Sequence, residues 1–321
     1  MSSGLIRNFL TKTYFFVRYL LCFKRSCFTF LPIPSHINNP EYCIDIKGSL
    51  NSDEDVKKEI PKMVWMYWDS EDIDSNLQRF ILKVQELNKD YKVVILNRIT
   101  VFDYLPDLKF NEEVYLSPAH KSDVIRLCLL RDYGGIWIDV TTVFFQDLSW
   151  VQKKINDYPY DLIGFFRKVS TQDFNRPVIE NWFLAAPPNN KFIKDWLTEF
   201  LPIADIGSTK FYDLMKSRSD FFDIKQRIDN TGYLLSYLAA HIVMKNNDYS
   251  FFLRCCEENA FFYQRIVDWR PHLVTYLLSR VELSDSKPEI IKLTKSDRML
   301  INLIITFKLI KRQGLLSFLK R

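Results

Sequence analysis

Glycine is scarce in this chain, 8 of 321 residues, about a third of the roughly 7% share usual in globular proteins. None of the eight falls in G-x-G-x-x-G or G-x-x-x-x-G-K, so the backbone cradles that dinucleotide-binding and P-loop proteins use for phosphate are missing. H-E-x-x-H and G-x-S-x-G are absent as well, which removes the zinc-peptidase and α/β-hydrolase readings. The six cysteines, Cys22, Cys27, Cys43, Cys128, Cys255 and Cys256, contain no C-x-x-C and no recognisable disulfide or zinc framework. Even the adjacent Cys255 and Cys256 are read as reduced thiols, and the set fits a reducing, cytoplasmic compartment. No stretch reaches the roughly 20 apolar residues of a spanning helix, and no clean apolar segment precedes a small-residue cleavage site.

What is present is a large core. Hydrophobic residues make up 47% and charged residues 26% of a 38.3 kDa chain, enough to exclude global disorder and to build one large α/β domain with tails. The formal net charge of +5 is unevenly spread. Residues 1–40 carry Arg7, Lys12, Arg18, Lys24 and Arg25 without an acid, and residues 292–321 carry eight Lys/Arg against Asp297. Everything between sums to −7. An acidic body between basic, apolar tails argues for an anionic membrane surface as partner and against nucleic acid.

The first tail has helical spacing. At about 100° per residue Arg7, Arg18 and Arg25 share one direction, with Phe9, Phe16, Leu20 and Phe23 mostly across from them. That pattern predicts an in-plane amphipathic helix with arginines toward headgroups and aromatics in the acyl boundary; the alternative is an ordinary helix packed on the domain. Pro32, Pro34 and Pro40 mark a linker. At the other end, Met299–Phe307 is apolar, Lys308, Lys311 and Arg312 share a face if helical, and Leu315–Leu319 follows. The expected organisation is a basic membrane-associating segment and linker at 1–40, a catalytic body at 41–296, and a basic amphipathic helix at 297–321.

Within the body, Ile60–Trp68 and Tyr91–Leu96 read as strands around a helix at Asp74–Leu87, a parallel α/β beginning. Ser117-Pro118 starts a helix, with Ser as N-cap and Pro at the first position, which runs to about Asp132 and stops at Gly134-Gly135. Ile136–Val140 reads as a strand that Thr141–Phe145 continues, and Asp161–Phe166 as another. Phe192–Phe200, Gly232–Met244 and Phe251–Phe262 read as mostly helical.

The chemistry concentrates in Ser117–Asp147. Asp123 and Arg126 are three apart and share a helix face. Asp139 ends a strand, pointing the same way as Trp137 and away from Ile136 and Ile138. A carboxylate at the end of a buried parallel strand sits where α/β sheets collect ligands, and it needs a cation or donors to offset its desolvation. A surface ion pair and a loop cap are the plainer readings of the same residues.

The run S-D-x-x-R-x-x-x-L-x-x-x-G-G-x-x-x-D, realised as Ser122, Asp123, Arg126, Leu130, Gly134, Gly135 and Asp139, resembles the DXD-type sugar-transferase family that includes the yeast α-mannosyltransferases. It is most similar to the bacterial capsular polysaccharide synthesis proteins within that group. The strand Ile60-Pro61-Lys62 ending in Trp68 and the downstream Ile291-Lys292-Leu293-Thr294 match as well, so the resemblance covers about residues 58–296. It implies a GT-A-like nucleotide-sugar-binding sandwich with a mostly parallel central sheet and a nucleoside-diphosphate sugar donor. It further implies Trp68 against the base, Asp123 and Arg126 on the donor sugar, and Asp139 as the first acid of D-x-D, with Ser122, Gly134, Gly135 and Thr141 also on the donor side.

The second acid of D-x-D is replaced, since the chain reads Asp139-Val140-Thr141. Three readings of that replacement stand side by side: weak Mg²⁺ or Mn²⁺ binding by Asp139 and Thr141 with Asp147 or Asp229 compensating, metal-independent transfer using Lys or Arg, or a dead enzyme. The capsular proteins it resembles often carry D-x-T, which implies activity. His120, His241 and His272 are read as structural. Asn181-Trp182-Phe183 is read as core packing, with acceptor stacking as the alternative, and Asp229-Asn230-Thr231-Gly232 as a capped turn.

The expectation is a cytoplasmic, membrane-peripheral glycosyltransferase on the inner face of the plasma membrane. It would move a sugar, with retention, to a lipid-linked glycan in capsule, O-antigen or related polysaccharide assembly. The alternatives are a sugar-phosphate transferase and a non-catalytic scaffold of a polysaccharide synthesis complex.

Overall fold

The computed structural model of the chain describes residues 3–24, 42–48, 58–280, 287–312 and 314–320. It opens with helix α1 (Ser3–Lys24) and strand β1 (Cys43–Ile46), then β2 (Met63–Tyr67), α2 (Ser75–Leu87) and β3 (Lys92–Leu96). Helix α3 (Pro118–Tyr133) leads into β4 (Gly135–Ile138), followed by β5 (Thr142–Phe144), α4 (Ser149–Asp157), β6 (Leu162–Phe166) and β7 (Ile179–Ala186). Four helices come next: α5 (Lys191–Phe200), α6 (Ile203–Lys216), α7 (Phe221–Lys225) and α8 (Leu235–Asn246). The chain closes with β8 (Phe251–Cys255), α9 (Phe262–Ile266), α10 (Pro271–Arg280), β9 (Ile290–Lys292) and α11 (Lys295–Thr306).

Seven strands form one sheet in the order β1-β8-β6-β7-β4-β2-β3, and β5 pairs with β9 in a separate ribbon. The sheet is α/β as the sequence predicts. Strands β3, β2, β4, β6 and β8 run in one direction, while β7 and β1 are reversed. Both faces are covered, which is why β2 reads as an unbroken apolar run and not an alternating one. Val64 and Met66 pack into the layer holding α2, α4, α10 and α11, and Trp65 and Tyr67 into the layer holding α3, α5 and α8.

The local signals around α2 and α3 are realised. The Asp74 carboxylate caps α2 by accepting from Asn76 N–H at 2.8 Å, and Leu77, Phe80, Ile81 and Val84 form its buried face. Ser117 Oγ accepts from His120 N–H at 3.2 Å with Pro118 at the first helical position.

Four expectations need correction. Thr141–Phe145 does not continue β4: the chain turns, Thr142 N–H donating to Asp139 C=O, and β5 leaves the main sheet to pair with β9. Phe251–Phe262 is not a helix, since Phe251–Cys255 is a strand between β6 and β1 and only Phe262–Ile266 is helical. A short apolar run buried on both faces carries no period that separates strand from helix. At the C-terminus α11 ends at Thr306 and Lys308 has φ of 55°, so Lys308, Lys311 and Arg312 share no helical face.

The fourth correction concerns α1, whose Phe16 side packs on the protein. Phe16 stacks on Phe307 at 5.1 Å, Tyr19 Oη lies 3.1 Å from Ser279 Oγ, and Phe15 stacks on His272. Of the face assigned to lipid from the wheel, Phe16 is therefore docked, because α10 and α11 offer it an apolar surface the wheel cannot see, while Leu20 stays exposed. Leu10, Tyr14, Val17 and Leu21 remain exposed, within about 60° of one another on the opposite side. The linker prolines and Arg25, and the side chains of Arg7, Phe9 and Phe23, lie outside the described residues. No described helix is long and apolar enough to cross a membrane.

Candidate active site

The site lies at the carboxyl ends of β2 and β4, where Trp68 and Asp139 follow their strands. Such edges collect ligands because the strand ends and loops there leave a crevice. Helix α3 runs beside it and presents Asp123 and Arg126 inward, both buried.

Arg126 organises the cluster. Its Nη1 lies 3.0 Å from Asp123 Oδ1 and donates to Asn181 C=O at 2.7 Å, while Nη2 reaches Ser122 Oγ at 3.2 Å and Asp139 Oδ1 at 3.4 Å. The guanidinium also stands over Trp137, 4.9 Å from the ring centroid. Asn181 Nδ2 donates to both Asp123 Oδ1 and Ser236 Oγ at 2.9 Å, so β7 and α8 hold the acid from the far side. The sequence reading placed Asn181 with the core packing of Trp182. Trp182 does pack, stacking on Phe165 at 4.8 Å, but Asn181 belongs to the site.

Asp139 is divided between partners. Its Oδ1 accepts from Trp137 Nε1 at 3.1 Å as well as from Arg126. Its Oδ2 accepts from Lys292 Nζ at 2.6 Å, and the same ammonium donates to Thr141 Oγ1 at 2.6 Å. Lys292 is positioned by its backbone: it pairs opposite Thr142, its N–H donates to Ala260 C=O, and Leu293 N–H donates to Thr141 C=O.

The titration directions follow from these contacts. Burial pushes the Asp139 carboxyl up, but Lys292 and then Arg126 outweigh it and hold the group below the ordinary carboxylate range. Asp123 is raised by burial, which Arg126 only partly offsets. Lys292 is lowered by burial, with Asp139 restoring part of the loss.

Two further groups face the cluster. The Tyr233 phenol is raised by burial and then by the charges of Asp123 and Asp139, which puts it within electrostatic reach of both acids although its ring is largely exposed. Arg298, on the first turn of α11, lies 5.5 Å from the Trp68 ring centroid. It is lowered by burial, opposed first by Asp139 and Tyr233.

Ser122, Asp123, Arg126, Asp139 and Thr141 are thus brought together, while Trp68 lies under Arg298, whose guanidinium feels the Asp139 charge. Gly134 and Gly135 are not among them, for they stand at the opposite end of β4 from Asp139. Their work is steric. Gly134 has φ of +62° and a Cβ there would fall 2.5 Å from Pro188 N; Gly135 has φ of +95° and a Cβ 2.7 Å from Met63 O.

Asp147 is bonded to Ser149 at the start of α4 and Asp229 is exposed before α8; neither touches Asp139 among the described contacts. His120 bonds the Tyr233 carbonyl at 3.0 Å, His241 bonds the Ile224 carbonyl, and His272 packs against Phe15 of α1. Cys255 and Cys256 are buried free thiols.

Three known proteins share part of this sequence. The O-glycosyltransferase braB of Annulohypoxylon truncatum is 32% identical over 46% of this chain and 38% of its own. Glycosyltransferase afumC of Aspergillus fumigatus is 30% identical over 51% of this chain and 46% of its own. The mannosyl phosphorylinositol ceramide synthase SUR1 of Saccharomyces cerevisiae is 26% identical over 60% and 52%. The chain thus spans about half or less of the length of these relatives. A solved structure of the PaToxG glycosyltransferase aligns with 76% of this chain and 84% of its own at 14% identity and a TM-score of 0.34. The assignment rests on the sequence profile of one family, which matches residues 41–261, from β1 past β8 and through every α3–β4 residue of the site. The chain belongs to the capsular polysaccharide synthesis protein family.

Proposed function

We propose that this protein is a glycosyltransferase that moves a sugar from a nucleoside-diphosphate sugar to a lipid-linked glycan during capsule or related surface polysaccharide assembly. The observation that carries the reading is the Asp123–Arg126–Asp139–Lys292 cluster at the sheet's carboxyl edge, with Asp123 and Arg126 buried and the Asp139 carboxylate 28% exposed. Fixed charges of this kind, already desolvated, stabilise a departing diphosphate without reorganising at the moment of reaction.

In the reaction the C1–O bond to the β-phosphate breaks with its electron pair staying on the phosphate oxygen, and the acceptor hydroxyl oxygen bonds to C1. The hydroxyl proton passes to the departing phosphate oxygen. Asp139, held below the ordinary carboxylate range, is a poor base, so in this retaining path it is not the group that takes the acceptor proton. Asp123 and Arg126 orient the donor sugar, and Trp68 offers the base a ring face.

The acceptor's lipid anchor is matched by α1, whose exposed Leu10, Tyr14, Val17 and Leu21 form an apolar stripe beside the exposed Arg18. An anionic inner leaflet suits that surface.

The test is hydrolysis of a panel of UDP-, GDP- and CMP-sugars by wild type, Asp139→Ala and Asp123→Ala. Turnover of one donor, reduced in both variants, is the expected result. Normal turnover in both variants would place the chemistry elsewhere, and release of sugar phosphate would identify a sugar-phosphate transferase instead.

A further inference from the structure

We propose that Lys292 and Arg298 together form the receiving site for the donor's diphosphate, and that transfer runs on these two side-chain cations without a divalent metal. The inference rests on the transferase reading above and concerns the same site.

The donor set is the first argument. Among the described residues no group of three or more His, Cys, Asp and Glu side chains is placed to hold a metal. The ligands left at the D-x-T turn are Asp139 and Thr141, and both are occupied by one ammonium, 2.6 Å from Asp139 Oδ2 and 2.6 Å from Thr141 Oγ1. The other oxygen of Asp139 is taken by Trp137 and Arg126. Mg²⁺ at a nucleotide site is held by one or two carboxylates together with substrate phosphates, and here it would have to expel Lys292 to reach Asp139 and Thr141. These residues do not fit a resident divalent cation; they fit the lysine that sits there.

The free valence is the second argument. An ammonium has three N–H donors, and two of Lys292's are spent on Asp139 and Thr141. The third has no partner among the described contacts, on a residue whose backbone is held by the β5–β9 pairing and whose side chain is 12% exposed.

Arg298 is the third argument. It is half-buried beside Trp68, its Nε is buried without a hydrogen-bond partner, and no carboxylate lies within ion-pair distance of it among the described residues. Its neighbour Asp297 is turned into the α11 cap, accepting from Thr294 N–H, Thr294 Oγ1 and Gln264 Nε2. A desolvated guanidinium with no acid is costly until an anion arrives, and its planar fork suits two phosphate oxygens. Counting Asp123, Asp139, Arg126, Lys292 and Arg298, the cluster holds three cations against two carboxylates. As C1–O cleavage leaves its electron pair on the β-phosphate oxygen, Lys292 and Arg298 meet the new charge.

The experiment uses the full chain with the donor it turns over, and UDP and GDP binding by calorimetry, in EDTA and in Mn²⁺, for wild type, Lys292→Gln and Arg298→Ala. Thermal unfolding of each variant is recorded alongside. Wild-type turnover and nucleotide affinity should be unchanged by EDTA, while each substitution lowers turnover by roughly 100-fold, the scale of losing one oxyanion-stabilising group. Loss of wild-type turnover in EDTA with recovery in Mn²⁺ would overturn the inference and leave the transferase reading standing. Absence of both turnover and nucleotide binding under all conditions would overturn the transferase reading itself. Should Lys292→Gln fail to fold, the wild-type EDTA comparison and Arg298→Ala still decide.

Discussion

Lys292 follows Asp139 by 153 residues, yet its ammonium stands 2.6 Å from Asp139 Oδ2. The contact joins the end of a main-sheet strand to a two-stranded ribbon, so the site is assembled from parts of the chain that only the fold brings together.

Arg126 is the group whose loss should cost most stability. Its side chain is 5% exposed and that of Asp123 9%, so Arg126→Ala leaves a buried carboxylate unpaired. Breaking a buried pair in this way costs about 3–5 kcal/mol, and urea denaturation should show a loss of that order. Arg126→Lys should recover little, because one ammonium cannot reach Asn181 C=O, Ser122 and Asp139 together.

Gly135→Ala separates a steric role from a donor contact. The left-handed φ of +95° and the 2.7 Å approach of a Cβ to Met63 O predict a destabilisation of at least about 1–3 kcal/mol. Affinity for nucleotide diphosphate, measured below the variant's unfolding temperature, should stay at the wild-type level. A selective loss of affinity with stability intact would return Gly135 to the donor site.

The wild-type chain should lose stability in acid partly through Asp139. Its folded pKa is depressed below the ordinary 3.8, so the unfolded chain binds the proton more readily. The stabilisation is present above that value and is lost as pH falls through the folded one. Lys292 has the opposite sense: its folded pKa lies below the ordinary 10.5, so the buried ammonium costs stability at neutral pH and the cost is relieved as pH rises. Denaturation midpoints should therefore fall less steeply in Asp139→Asn than in wild type as pH drops below about 5.

Much of this was readable from residues alone. Asp123, Arg126 and Asp139 were legible because helix spacing and a strand end fix their direction locally, and α2 and α3 because their caps and apolar spacing agree. Lys292 is legible only as one residue of the Ile291-Lys292-Leu293-Thr294 match, since its partner is set by the β5–β9 register. Arg298 and Tyr233 gave no signal: each is an ordinary surface residue type until α11 and the loop before α8 bring it beside the acids. Strand β8 was misread because burial on both faces erases the period, and α1 because a wheel shows two faces without saying which one the protein covers.

The exposed stripe of α1 makes a separate prediction. Replacing Leu10, Val17 and Leu21 with Asn should abolish co-sedimentation with phosphatidylglycerol vesicles. Thermal stability should hardly change, since these side chains are already in water. Unchanged vesicle binding would remove α1 from the membrane account.

The central claim is that the diphosphate is received by Lys292 and Arg298 beside Asp139. A crystal structure with the nucleoside diphosphate of the preferred donor tests it most directly. The account predicts phosphate oxygens within hydrogen-bond distance of Lys292 Nζ and of the Arg298 guanidinium, with the base against Trp68. A diphosphate held away from both cations, or bridged to Asp139 by a metal ion with Lys292 displaced, would contradict it.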